Sequence, residues 1–192
     1  MESAQSIVRK LKYAGTLDMP VTTNIGTVGS GVSSQEFGNT YQHTTVLSIE
    51  KAAALTLADN ASIGDGHLIY TLPAGNIIVN NAYMVMLVTN AEHDGETLEA
   101  GLGTTTASGA VSVLSGTAGF ENVLTGQAGT VGIVTSGMDI SNSTSGIGGL
   151  LIPAASAHTV YFNVAGAWAN TAGTALNTDI QGAVILNWTF FV

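Results

Sequence analysis

Residues Ala183 to Val192 read AVILNWTFFV, and this stretch decides the fold. It joins Val184, Ile185, Leu186, Trp188, Phe190 and Phe191, residue types favoured on a pleated, buried surface. The even positions Val184, Leu186, Trp188, Phe190 and Val192 make one continuous apolar face. The odd positions mix Asn187 and Thr189 with Ile185 and Phe191, so the second face is only partly polar. That pattern predicts a strand with one face in a core and the other partly covered. Such a strand needs paired neighbours and an opposing layer, which the rest of the chain has to supply.

The other segments supply them. Thr44–Glu50 alternates, with Thr45, Leu47 and Ile49 on one face and Val46 on the other. The run from Lys51 to Ala58 is helical by propensity, but Leu55 and Leu57 alternate about Thr56, which favours strand or loop. His67–Leu72, Asn76–Val79 and Ala82–Thr89 predict strands, with Asp59–Gly66 a turn region and Pro73-Ala74-Gly75 a stop. Leu98–Gly103, Ala110–Leu114, Phe120–Leu124 and Leu150–Ile152 add short strands, and residues 126–149 predict a long surface loop with at most a short strand at Val131–Thr135. Thr159–Val164 alternates cleanly, with Val160, Phe162 and Val164 opposite Tyr161 and Asn163. Short strands punctuated at this spacing indicate an all-β chain, a sandwich or a barrel.

Residues 1–43 predict an N-terminal arm or linker, and 44–192 the β domain. Gly15–Asn39 is Gly-rich, holds Pro20 and has few large apolar residues. Before it, Ala4, Ile7, Val8 and Leu11 follow helical spacing, with Ser3 as a cap. Arg9, Lys10 and Lys12 lie on or beside the other face. A helix this short needs a partner surface. Ile7, Val8, Arg9, Lys10, Leu11 and Lys12 are therefore the candidate partner-binding residues, against the alternative of a frayed basic terminus.

Charge narrows the function classes. Charged residues make up 9% of the chain, against roughly 25% in ordinary soluble domains. From Tyr13 onward one Lys faces twelve carboxylates, a formal charge of −11. Such a body repels nucleic acid and anionic membrane, so neither is an expected partner. Mean hydropathy is +0.36, yet no apolar run approaches the ~18 residues of a membrane helix. The N-terminal stretch has no apolar core of the kind a secretory signal carries, so none is expected. There are no cysteines, which removes thiolate metal ligands and Cys nucleophiles.

The chemistry-bearing residues do not assemble into a reaction. Glu92, Asp94, Glu96 and Glu99 offer oxygens to a hard cation but lack the spacing of a calcium loop. Asp59 and Asp65 also fail that pattern, because Ala61 and Ile63 fill its ligand positions. His43, His67, His93 and His158 fall in separate segments, and no Ser sits in a nucleophile elbow. The Gly-rich runs 26–31 and 101–103 have no Lys to meet a phosphate. Glu50 and Glu121 permit a carboxylate dyad without pointing to one. Tyr83, Met84 and Met86 read as core and partner-facing residues. No enzyme activity and no cofactor are expected.

The run LSIEKAAALTLADN with GHLIYTLPAG resembles virion structural proteins of tailed phages, in which an LT-x-x-D strand precedes a strand closing on LPAG. AVSVLSGTAGFENVLTG and AHTVYFNVAGAW are similar to such proteins too, especially head-decoration (cement) and head-fibre proteins. The resemblance covers residues 44–192. It implies a jelly-roll-like β-sandwich, an accessory role on the outer capsid surface, the major capsid protein as partner, and a homo-oligomer, a trimer by preference. It carries no catalytic residues. The expected function is therefore a non-enzymatic virion protein that binds and stabilises the shell. The alternative is a head-fibre or tail-fibre module recognising host glycans, with loops 90–97 and 126–149 as its site and Trp168 or Tyr83 as a stacking platform. An adhesin or carbohydrate-active enzyme fits less well without a dyad. A major shell subunit fits less well without a basic inner surface.

Overall fold

A computed structural model describes residues 26–39, 41–57, 62–90, 97–130, 138–143, 149–167 and 176–191. The described residues form eleven strands: β1 (Thr27–Val28), β2 (Val32–Gly38), β3 (Gln42–Leu57), β4 (Ser62–Thr71), β5 (Ile77–Asn90), β6 (Thr97–Gly103), β7 (Leu124–Thr130), β8 (Met138–Ser143), β9 (Leu150–Ile152), β10 (Thr159–Ala167) and β11 (Leu176–Phe190). Two sheets make a β-sandwich. The five-stranded sheet runs β1-β4-β10-β6-β7, and the six-stranded sheet runs β2-β3-β11-β5-β8, with β9 also on β5. Every pairing is antiparallel.

The pairings are nested. β3 pairs with β11, β4 with β10, β5 with β8 and β9, and β6 with β7. The chain is thus one long antiparallel ribbon, doubled back at residues 104–123. From β3 to β6, and again from β7 to β11, the strands move between sheets, so each arm of the ribbon lies on both layers. The expected terminal strand sits at the centre of the six-stranded sheet. Its even positions Val184, Leu186 and Trp188 are buried, while Phe190 is half-buried. They meet Leu47, Met84 and Met86 from the same sheet and Leu98, Leu102, Phe162 and Val164 from the opposite one in a single core. Burying each large side chain contributes roughly 1.5–3 kcal/mol.

Several expectations are corrected. Residues 26–43 are not an arm: β1 pairs with β4, β2 pairs with β3, and Val32 joins the core. The low apolar content hid this, because β2 contributes one side of an edge and little bulk. Asp65 and Gly66 lie inside β4, since β10 pairs with it from Ser62 to Thr71. The region 126–149 contains β7 and β8 rather than one long loop. The stretch Asn170–Thr178 reads as a loop in the sequence, but residues 176–178 belong to β11, where Thr178 is buried. The candidate helix and Ile7–Lys12 lie outside the described residues.

Ala110–Leu114 and the stretch from Phe120 to Val123 are not strands. Residues 104–123 instead fold over the outer face of the five-stranded sheet. Ala107, Leu114 and Phe120 pack on Ala165 there, with Val111 against them. Asn163, on the outward side of β10, fixes this segment. Its Oδ1 accepts from the Ala107 N–H (2.8 Å), and its Nδ2 donates to the carbonyls of Thr105 (2.9 Å) and Phe120 (2.7 Å). Gly66 on β4 makes room, because a Cβ there would sit 2.1 Å from the Asn163 Oδ1. Asn163→Ala is expected to cost roughly 3 kcal/mol, since it leaves three backbone groups, two of them buried, without this partner. The exposed Asn122→Ala, which loses bonds to Thr104 only, is expected to cost under about 1 kcal/mol. Urea denaturation of both variants checks the contrast.

Candidate functional site

Three features stand out beyond the apolar core. The first is a buried polar chain at the β2 side of the sandwich. Glu36 on β2 is buried, although it belongs to an edge strand. Its Oε1 accepts from the Tyr70 hydroxyl (3.2 Å) and from the Thr45 hydroxyl (3.3 Å). Thr45 Oγ1 in turn accepts from the Trp188 indole N–H (2.9 Å). Tyr70 comes from β4, so this chain joins the two sheets across the core. His43 lies flat on Trp188, with centroids 4.2 Å apart and planes 9° from parallel, and Phe190 meets both rings edge-on. Burial first, and the Glu36 carboxylate second, push the Tyr70 hydroxyl well above the usual tyrosine range. The cluster is enclosed, with Trp188 and Tyr70 essentially without solvent contact. Its role is to hold the sheets in register.

The second feature is the outer face of the six-stranded sheet. Cross-strand pairing lines up Gln35–Val46–Ile185–Tyr83, and beside it Ser33–Ser48–Ala183–Val85. A third row, Phe37–Thr44–Asn187–Asn81, is tied together: Thr44 Oγ1 donates to Asn187 Oδ1 (2.7 Å), and Asn187 Nδ2 donates to Asn81 Oδ1. None of these side chains is charged. Tyr83 and Val85 are 41% and 39% exposed, which is high for such residues. Because side chains alternate along β5, Met84 and Met86 point the other way, fully into the core.

The third feature borders this face. Ile180 pairs with Ala53 and Gly182 with Ile49, so Glu50, Lys51 and Ala52 stand opposite Gln181 alone. This bulge opens a groove of about 620 Å³ lined by Ile49, Glu50, Val85, Leu87, Gln181 and Gly182. Gly182 has φ of +150°, and a Cβ there would sit 2.1 Å from the Val85 carbonyl oxygen. No other residue keeps this backbone without strain.

The remaining sequence candidates are dispersed. His67 Nε2 bonds the Ser30 carbonyl (2.8 Å), and His158 Nε2 bonds the Gly75 carbonyl (2.7 Å). Glu99 Oε2 accepts from the Leu114 N–H and Glu121 Oε2 from the Gly126 N–H, both at 2.6 Å. These two carboxylates approach the same spot beside Gly126, each spending an oxygen on a backbone N–H. Glu50 stands far from them on the other sheet. Gly101 and Gly103 lie in β6, beneath the backbone of residues 119–126. Among the described residues no group of three or more His, Cys, Asp or Glu side chains gathers to hold a metal. His93, Trp168, Asp59 and the acidic run Glu92–Glu96 lie outside the described residues, as do Ile7, Val8, Arg9, Lys10, Leu11 and Lys12.

Comparison with protein-family models, with curated proteins and with solved structures found no match.

The Tyr70 environment sets an alkaline limit. Its pKa is raised in the folded state, so its contribution is fully present below the ordinary tyrosine value of about 10. Above that value the unfolded chain ionises while the folded chain resists, and stability falls as pH climbs. Tyr70→Phe is expected to lower stability at pH 7 by roughly 1–3 kcal/mol, by removing a donor from the buried Glu36. It should also make the alkaline fall shallower. Urea midpoints between about pH 8 and 11 test both.

Proposed function

We propose that this protein is a non-enzymatic structural component of a virion that binds the outer surface of the capsid and stabilises it. The observation that carries this reading is the block of three uncharged rows on the outer face of the six-stranded sheet. Removing charge from water is costly. Three rows of Ser, Thr, Asn, Gln, Ala, Val, Ile, Phe and Tyr can be covered without that cost, and the cores of protein interfaces are depleted of charge in the same way. The face is built on paired strands, so it is presented rigidly and little ordering entropy is lost on contact. Many weak contacts repeated on a lattice sum to firm attachment.

The nested strand pairing also supports this reading. Setting aside the edge strands β1 and β2, the order β3-β11-β5-β8 against β4-β10-β6-β7 fits the jelly roll implied by the resemblance to decoration proteins, an architecture found in capsid and lectin domains. We assign the major capsid protein as the partner of the face. Ile7, Val8, Arg9, Lys10, Leu11 and Lys12 hold the chain's main concentration of positive charge, and we assign them to a contact with an acidic protein surface.

The test is to place charge on the face. Val85→Glu and Ile185→Glu alter outward positions and should leave a folded chain. Each is expected to reduce co-sedimentation with purified particles at least about tenfold, equivalent to roughly 1.4 kcal/mol. Undiminished binding by folded variants would sink the assignment of this face.

A further inference from the structure

We propose that the basic N-terminal segment, residues 1–12, docks into the bulge groove of its own chain, with Ile7, Val8 and Leu11 on the apolar floor and the bases beside Glu50. The inference rests on the assignment of that segment to an acidic protein surface, and not on the presence of a capsid.

Charge complementarity selects the occupant. Three of the chain's four basic residues lie in this segment, whereas the body from Tyr13 onward carries a formal −11. The uncharged rows offer the segment no counter-charge. At the groove the sheet face gains an exposed carboxylate, Glu50, beside apolar Ile49, Val85 and Leu87. Gln181 lies across from it with an amide that both donates and accepts. An aliphatic floor with a carboxylate rim fits a segment that alternates apolar side chains with Lys and Arg. The aliphatic stems of those bases cover apolar surface while their heads reach the carboxylate.

The course of the chain provides the reach. The Glu50 N–H donates to the Gly31 carbonyl (3.1 Å), so the chain entering β2 passes beside the bulge. The described chain begins five residues earlier, at Gly26. Residues 13–25 span up to about 45 Å when extended, enough to return to the groove. A tether of this length keeps the local concentration of the segment near the millimolar range, so a weak contact is populated within one molecule. The fourth base, Lys51, follows Glu50 in the bulge. Reversing the charge of this sequence neighbour of Glu50 gives the test a second direction.

The test uses the full chain. It has no cysteine, so Ser6→Cys carries one nitroxide label at a single place. The amide signals of Glu50, Val85, Leu87 and Gln181 are expected to broaden at low salt and to recover at about 0.5 M salt, where surface charges are screened. Glu50→Lys is expected to reduce the broadening about threefold or more, and Lys51→Glu to increase it, as a weak exposed ion contact allows. Circular dichroism verifies that both variants fold. Absence of broadening, broadening centred elsewhere, or broadening seen only when labelled and isotopically enriched molecules are mixed would overturn the proposal. Particle binding is read separately, by co-sedimentation.

Discussion

The structure depends on the pairing of β11 with both β3 and β5. This strand forms the middle of the six-stranded sheet, so its backbone groups are engaged on both sides and its even side chains fill the core. β3 and β11 lie far apart in sequence, and bringing them together closes the whole ribbon. Trp188 marks the junction. Its indole bonds Thr45 on β3, Thr45 bonds Glu36 on β2, and Glu36 accepts from Tyr70 on the other sheet. A carboxylate in such a place is costly unless it is hydrogen-bonded. Once bonded, it favours one register, because a slip of one residue would turn Glu36 outward and bring Gln35 in.

The composition follows from what each surface must do. The five-stranded sheet has part of its outer face covered by its own chain, through residues 104–123 and the Asn163 amide. Small residues are required there, since Gly64, Gly66 and Ala165 lie directly beneath the covering segment. The outer face of the six-stranded sheet has no such cover among the described residues. Three of its cross-strand rows are uncharged, and one of them is tied by the Thr44–Asn187–Asn81 hydrogen bonds. A chain with 9% charged residues thus keeps a broad neutral plane on one side.

Much of this was legible in the sequence. Alternation in 184–190, 44–50 and 159–164 identified β11, β3 and β10 and the correct inward faces, because period-two burial leaves a direct trace. The 104–123 segment misled. Val111 and Val113 are in phase, but two residues in phase do not make a strand: Val111 packs on the local core, and Val113 is 48% exposed. Glu36 was missed because a buried carboxylate carries no apolar signal. Its place in the Val32, Ser34, Glu36 alternation was the available clue. The groove was invisible, since it arises from a mismatch in register between β3 and β11 and a single strand's pattern holds no information about its partner's spacing. The neutral face was half visible, in Ile185 and Asn187 on the odd side of the terminal strand.

We propose that this sandwich works as a repeated, non-catalytic part of a particle. Copy number per purified particle, measured by quantitative mass spectrometry against the most abundant shell protein, tests it most directly. The account predicts a simple lattice ratio to that protein. A ratio far below it, or absence of the protein from particles, would contradict the account.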